Sequence, residues 1–405
     1  MHIAVIGGGA AGMAAAYAAA SQGAEVVIFE RNEKLGKKLF ISGKGRCNLT
    51  NDSDIEQHMS NVVTNPRFLF SAYHALSPLD LMRLIEGQGV ELKTERGGRV
   101  FPLSDKSSDI IRAWKELLDS VRVKVHLDEC VLSIARKGDE FTVDTSVGKY
   151  FFDKVIVCTG GMTYQATGST GDGYRFAAKL GHSVTQLYPA LVGLRADIPG
   201  NLAGLSLKNV ELSISARGKD LLREFGEMLF THSGISGPIV LRASSRINKI
   251  DIRDVDITLD LKPALSTEVL DARLVRDFSE NPNRSVRNVL PLLMPKSLIP
   301  LVLKQAELQG DTPCHSISKE QRKRLSAVVK AIRIEATGFE EMNGAIVTSG
   351  GINVSEVNAK DMQSKLVPGL YFAGEVLDVD ALTGGYNLQI AFSTGYLAGT
   401  KAANG

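Results

Sequence analysis

A chain of 405 residues, 44% hydrophobic and 23% charged, has the length of roughly two or three domains and the composition of an ordinary globular protein. Its formal charge of +2 gives no electrostatic reason to expect a nucleic acid partner or a membrane surface, and no apolar run is long enough to span a bilayer. The four cysteines, Cys47, Cys130, Cys158 and Cys314, are too dispersed for a zinc site or a disulfide framework, so no metal is expected and a reducing, cytoplasmic setting is.

In chain order, "HIAVIG" is a short β-branched strand, "AAGMAAAYAAASQG" an alanine-rich helix closed by Gly23, and "AEVVIFE" a second buried strand. This is a βαβ unit, the start of a parallel sheet. "PLDLMRLIEGQG" and "SSDIIRAWKELLDS" read as helices, the second opened by a serine and aspartate cap. The stretch from Val123 to Gly161 reads as successive strands with turns at Lys137-Gly138 and near Gly148, ending in the buried run "KVIVCTGG". From Pro189 to Leu261 a period of two predicts an inserted antiparallel region, and from Ser266 to about Lys330 leucine-rich stretches broken by prolines predict a small helical module. "LVPGLYFAGEVLD" returns to a buried strand, and "QIAFSTGYLAGTKAA" closes the chain as a helix of small residues.

Gly7, Gly9 and Gly12 give the G-x-G-x-x-G pattern between a strand and a helix, with Ala10 and Ala11 between the second and third glycines. The first glycine permits the tight turn, the second lets backbone approach a pyrophosphate, and the third lets helix pack on strand. The helix N-terminus offers unpaired N–H groups to phosphates. Glu30, ending the second strand, is placed to accept hydrogen bonds from a ribose diol, which argues against a 2′-phosphate although Arg31 follows. The fingerprint alone does not separate NAD from FAD. The C-terminal segment favours the longer cofactor: Gly374 and Glu375 end a strand, and a helix starting near Asn387 and Leu388 would direct its positive end at a flavin pyrimidine edge.

The run "SGKGRCNLT" from Ser42 to Thr50 fails as a phosphate loop on spacing and as a metal site for want of ligands. A redox thiol at Cys47, activated by Lys44 and Arg46, stays open. Gly43 and Gly45 also suit close approach of backbone to a flat ring. Together with "GGGAAG", "GRVFP", "GSTGDGY", "MLFTHSGISGP", "VTSGGI" and "GLYFAGEVLDVDALTGGYNLQIAFSTG", the run resembles a bacterial FAD-dependent oxidoreductase family that includes aminoacetone oxidase and the bile-acid-inducible enone reductase. The similarity spans nearly the whole chain. It implies an α/β fold: a discontinuous Rossmann-like FAD domain over 1–188 and 346–405, a β-barrel-like insert over 189–264 and 327–345, and a helical module over 265–326. It further implies that Gly7, Gly9, Gly12, Glu30, Arg31 and Lys38 bind the ADP portion and that Ser42, Gly43, Gly45 and Arg46 lie beside the isoalloxazine. Val131 would touch adenine through its backbone, Thr159 and Gly160 would flank the pyrophosphate, and Glu375, Asn387 and Leu388 would close the flavin site.

A flavin at a domain boundary implies hydride transfer through N5 to or from a small organic substrate, either amine oxidation or reduction of an enone C=C bond. His232 is the first candidate for proton transfer, with Arg99, Tyr386, Thr348 and Ser349 behind it, and Asp172 reads as a helix cap. An RNA-modifying flavoprotein and a flavin-bound redox sensor using Cys47 are the alternative functions. With no second fingerprint, NAD(P)H is expected only as a transient reductant.

Overall fold

The three opening runs fold as their patterns dictate: His2–Ile6 is strand β1, Ala10–Ser21 is helix α1, and Glu25–Phe29 is strand β2. In the computed structural model, which describes residues 1–405, β1 lies parallel to β2 with His2 opposite Glu25 and Ile6 opposite Phe29. The completed sheet has five parallel strands in the order Leu370–Phe372, Lys154–Val157, β1, β2, Lys124–His126. The strand from the C-terminal segment thus occupies one edge. The chain divides into two compact units, Met1–Ala190 with Met342–Gly405, and Leu191–Glu341.

In the first unit α1 packs against the C-terminal helix, Tyr386–Asn404. Both are rich in small residues, and the contact is close enough that a Cβ at Gly395 would lie 2.2 Å from the Ala11 carbonyl oxygen, and one at Gly399 would lie 2.0 Å from that of Ala15. Trp114, on the helix Ser107–Ser120, stacks on Phe392 at 5.0 Å between ring centroids and closes this side of the core. An antiparallel meander, Val131–Lys137, Glu140–Thr145 and Lys149–Phe152, forms a separate three-stranded sheet that links the outer strand to Lys154–Val157 along the chain.

The second unit contains a seven-stranded antiparallel sheet, in the order Ile332–Ile334, Val255–Asp260, Ser206–Ala216, Lys219–Phe230, Gly234–Ser236, Leu194–Ala196, Ala336–Phe339. Its strands and the helices between Thr267 and Lys330 share one hydrophobic core, in which Leu212 and Ile257 join Leu270, Leu274 and Leu325.

Three local expectations are corrected. Pro238–Ile247 is a helix, not part of an antiparallel run. Its buried residues Ile239, Val240, Ala243 and Ile247 follow helical spacing, and the β-branched residues obscured this. The helix Ser107–Ser120 has no side-chain cap: Ser107 Oγ donates instead to the Phe40 carbonyl at 2.8 Å, and Asp109 accepts from Ser104 Oγ at 2.6 Å. Asp172 is the first residue of the helix Asp172–Lys179, and the cap position is Gly171 at φ +82°, which has no side chain to offer.

Candidate functional site

The C-terminal ends of the five parallel strands all open onto one cavity of about 220 Å³. Across the sheet its lining runs from Ala373 and Glu375, through Cys158, Thr159 and Gly160, then Gly7 and Gly9, then Glu30 and Arg31, to Glu129, Cys130 and Val131. This is where an open parallel sheet binds ligands. Five strands at the usual spacing span roughly 19 Å. Lys38, Ser42, Val379, Asn387 and Leu388 also line it.

The glycines explain how the chain passes so close. At Gly7, φ is +102° and a Cβ would meet the Cys158 carbonyl oxygen at 2.6 Å; at Gly12 a Cβ would lie 1.8 Å from the Gly7 oxygen. A Cβ at Gly9, by contrast, would meet nothing within 4 Å, so open space lies directly before the first turn of α1. The first helical hydrogen bond of α1 runs from Met13 N to Gly9 O, leaving the preceding N–H groups of Ala10, Ala11 and Gly12 without helical acceptors. The C-terminal helix repeats the device: its ladder begins with Gln389 N to Gly385 O, leaving the N–H groups of Tyr386, Asn387 and Leu388. Gly385, at φ +101°, turns the chain into that helix.

Glu30 is buried, with Oε2 accepting from Gly8 N at 2.7 Å and Oε1 accepting from Asn32 N at 2.9 Å and Asn32 Nδ2 at 2.6 Å. Each oxygen therefore keeps a fixed direction. Lys38 Nζ reaches Glu375 Oε2 at 2.6 Å and Thr163 Oγ1 at 2.8 Å, joining segments from opposite ends of the chain. Arg31 is held by Thr170 Oγ1 at 2.5 Å and Asp172 Oδ2 at 2.9 Å. Thr159 Oγ1 is buried without a hydrogen-bond partner. Two open helix N-termini and a carboxylate at the end of β2 form a donor and acceptor set that fits FAD, whereas Thr159 Oγ1 is turned from the cavity towards Gly173.

The remaining sequence candidates fall elsewhere. Gly12 serves helix packing, and Gly374, at φ +81°, lets the chain pass Ala11, where a Cβ would lie 2.7 Å from the alanine methyl. Lys37–Gly45 is helical only to Ile41; Ser42 is extended and Gly43 and Lys44 are left-handed. Gly43 packs on Phe101 and Asn48, while Gly45 has open space around its Cα. Arg46 does not line the cavity: its guanidinium lies over the Phe101 ring at 4.1 Å and pairs with Glu95 at 2.7 Å and Asp105 at 3.2 Å. The charge that was expected beside a ring is spent anchoring the loop. The side chain of Asn387 likewise clamps Ala381, donating to its O at 2.7 Å and accepting from its N at 2.9 Å, so it serves the cavity through backbone.

The three catalytic candidates are not brought together on the cavity wall. Arg99 is exposed and bonds the Arg96 carbonyl at 3.2 Å. Tyr386 is buried edge-on against His58 at 4.9 Å between ring centroids. His232 is exposed in the second unit, between the strands ending at Phe230 and beginning at Gly234. Thr348 N and Ser349 Oγ are bonded to Glu375 at 2.9 Å and Asp380 at 3.0 Å and act as supports. Sequence reasoning missed Glu129, Cys130, Ser169 and Val379, all on the cavity. Glu129 and Cys130 were legible only as positions following a strand that the sequence did not show to be a neighbour of β2.

Cys47 is fully buried, and desolvation pushes its thiol up to about 12. A buried thiol with a raised pKa is a poor nucleophile, which speaks against the redox-sensor reading. Cys47→Ser should keep turnover within a few-fold of wild type, and native protein should leave this thiol unalkylated at pH 8 while unfolded protein exposes it. The raised value also has a sign: its stabilising contribution is complete below the unfolded value of 9.0 and is lost as pH rises towards 12.

A family profile described as HI0933-like protein Rossmann domain matches residues 1–401. The chain is 31% identical over 411 aligned residues to a 3-dehydro-bile acid delta(4,6)-reductase of Clostridium scindens, covering 99% of both chains. It is 30% identical over 397 residues to a ribosomal RNA dihydrouridine synthase of Escherichia coli, covering 97% of this chain and 95% of that one. Among solved structures, a 3-ketosteroid-delta4-(5alpha)-dehydrogenase from Rhodococcus jostii RHA1 shares the fold with a TM-score of 0.54 at 15% identity, covering 99% of this chain and 96% of that one.

Proposed function

The chain belongs to the HI0933-like Rossmann-domain family, and from that premise we propose that it is an FAD-dependent reductase of carbon–carbon double bonds conjugated to a carbonyl, acting on a small organic substrate. As a member of this family it is an oxidoreductase and a flavoprotein; the reaction and substrate are our reading. The observation that carries it is that two relatives, each matched over at least 95% of its length, are named for saturating a ring double bond that a carbonyl activates. In a 3-dehydro-Δ4,6 steroid the activating group is the 3-ketone; in uridine it is the C4 carbonyl.

When bound, FAD would supply two-electron chemistry, a hydride for the β-carbon of such a bond, with water supplying the proton for the α-carbon. The protein's residues do the placing. The first turn of α1 would hold the pyrophosphate, with Thr159 and Gly160 beside it, Glu30 would accept from the ribose hydroxyls, and Lys38 would stand near the phosphates. The N-terminus of the C-terminal helix, through the N–H groups of Asn387 and Leu388, meets the pyrimidine edge and stabilises negative charge arriving there. NADH or NADPH, docking transiently, serves as reductant.

The test is anaerobic. Holoprotein bleached with NADH or NADPH is mixed with a 3-oxo-Δ4,6 bile acid, with ribosomal RNA, or with neither. Our reading predicts rapid return of the flavin bands with the enone and a product two hydrogens heavier. Return only with RNA, and dihydrouridine in the RNA, would establish the second reading, which the Escherichia coli relative favours. Bleaching by primary amines with reoxidation by oxygen alone would overturn both in favour of an oxidase.

A further inference from the structure

Val379 lines the cavity, and immediately before it stands Asp378, 9% exposed, with Oδ1 buried and lacking any hydrogen-bond partner. The backbone there is fixed: Asp378 N donates to the Ile352 carbonyl at 3.0 Å, and its own carbonyl accepts from Asn65 Nδ2 at 2.8 Å. The other carboxylate of this wall, Glu375, is paired with Lys38 at 2.6 Å. Asp378 makes no such pair with any lysine, arginine or histidine. The Tyr174 phenol is pushed up chiefly by burial, with the Glu375 and Asp378 carboxylates acting in the same direction.

We propose that Asp378 is a positioning residue for electrons rather than atoms: its uncompensated buried carboxylate lowers the reduction potential of flavin held in the cavity and makes the reduced cofactor a stronger hydride donor. Reduction adds negative charge to the isoalloxazine, and a fixed negative charge next to the lining residue Val379, in a region where little water screens it, opposes that addition. The N-terminus of the C-terminal helix acts in the opposite direction. Retaining an unpaired buried acid costs stability, which is the signature of a functional group rather than a packing one. The inference rests on the flavin reading given above.

The experiment compares midpoint potentials of wild-type, Asp378→Asn and Asp378→Glu holoproteins by equilibration with reference dyes. Asn removes the charge with little change of shape, so its potential should move positive; Glu keeps the charge and should stay near wild type. An unchanged or more negative potential in Asp378→Asn, with FAD bound, would overturn the inference and leave the flavin reading standing. Should Asp378→Asn not fold, Asp378→Ser, which also removes the charge, is read in the same way: a potential that moves positive supports the inference, and one that is unchanged or more negative overturns it. A wild-type chain that cannot be loaded with FAD would overturn the inference and the flavin reading together.

Discussion

Gly395→Val should unfold the first unit or leave it unable to hold a cofactor, at a cost of about 3 kcal/mol or more. The new Cβ alone would stand 2.2 Å from the Ala11 carbonyl oxygen, and that neighbour is helix backbone, which cannot swing aside as a side chain would. To relieve the clash α1 must move away from the C-terminal helix. Ala11 itself lines the cavity in the first turn of α1, so the same displacement that loosens the core deforms the cavity wall. Gly200→Ala is the control, because a Cβ there meets nothing within 4 Å. It should change stability by no more than about 0.5 kcal/mol. Urea unfolding followed by fluorescence, with FAD binding measured on the same samples, separates the two. Wild-type stability in Gly395→Val would mean that the helices are not packed this closely.

Glu30→Ala should weaken FAD binding by roughly 10- to 100-fold, the loss of about 1.4 to 2.8 kcal/mol expected for a charge-assisted pair of hydrogen bonds. The effect has two parts. The ribose hydroxyls lose their acceptor, and so do Gly8 N, Asn32 N and Asn32 Nδ2, which now converge on the carboxylate at 2.6 to 2.9 Å. The Gly8 N–H belongs to the turn between β1 and α1, so removing Glu30 also loosens the loop that leads into α1. Glu30→Gln keeps the shape but turns one acceptor into a donor facing donors, and should recover less than half of the lost binding energy. Equilibrium titration with FAD under quenched flavin fluorescence gives both values. Binding equal to wild type in Glu30→Ala would remove the acid from the cofactor site.

The parts of this fold that were legible in the sequence are those where local pattern and tertiary role coincide. Gly7, Gly9 and Gly12 sit between a β-branched strand and an alanine helix, a spacing that conveys the close backbone packing at Gly7 and Gly12 and the open space at Gly9. The C-terminal helix was legible for the same cause, since Gly395 and Gly399 mark a face that touches backbone. What was not legible depends on partners distant in sequence. Arg46 looks like a ligand-binding cation until Glu95 and Asp105 are seen to hold it. Cys47 looks activated by flanking Lys44 and Arg46 until its burial is known. Glu129 and Cys130 join the cavity only because Lys124–His126 pairs with β2, a pairing no local periodicity encodes. The Pro238–Ile247 helix was obscured by its own β-branched residues in a region otherwise alternating with period two. Tyr386 stands beside the glycine pair in sequence, yet its ring turns away to pack on His58.

The most direct measurement is the cofactor itself: the purified chain, incubated with excess FAD and freed of unbound ligand, assayed for flavin by absorbance and by identification of the nucleotide released on denaturation. The account predicts one FAD per chain and its near-complete loss in Gly395→Val. A wild-type protein that is folded, colourless and unable to retain FAD would contradict it from the first glycine onward.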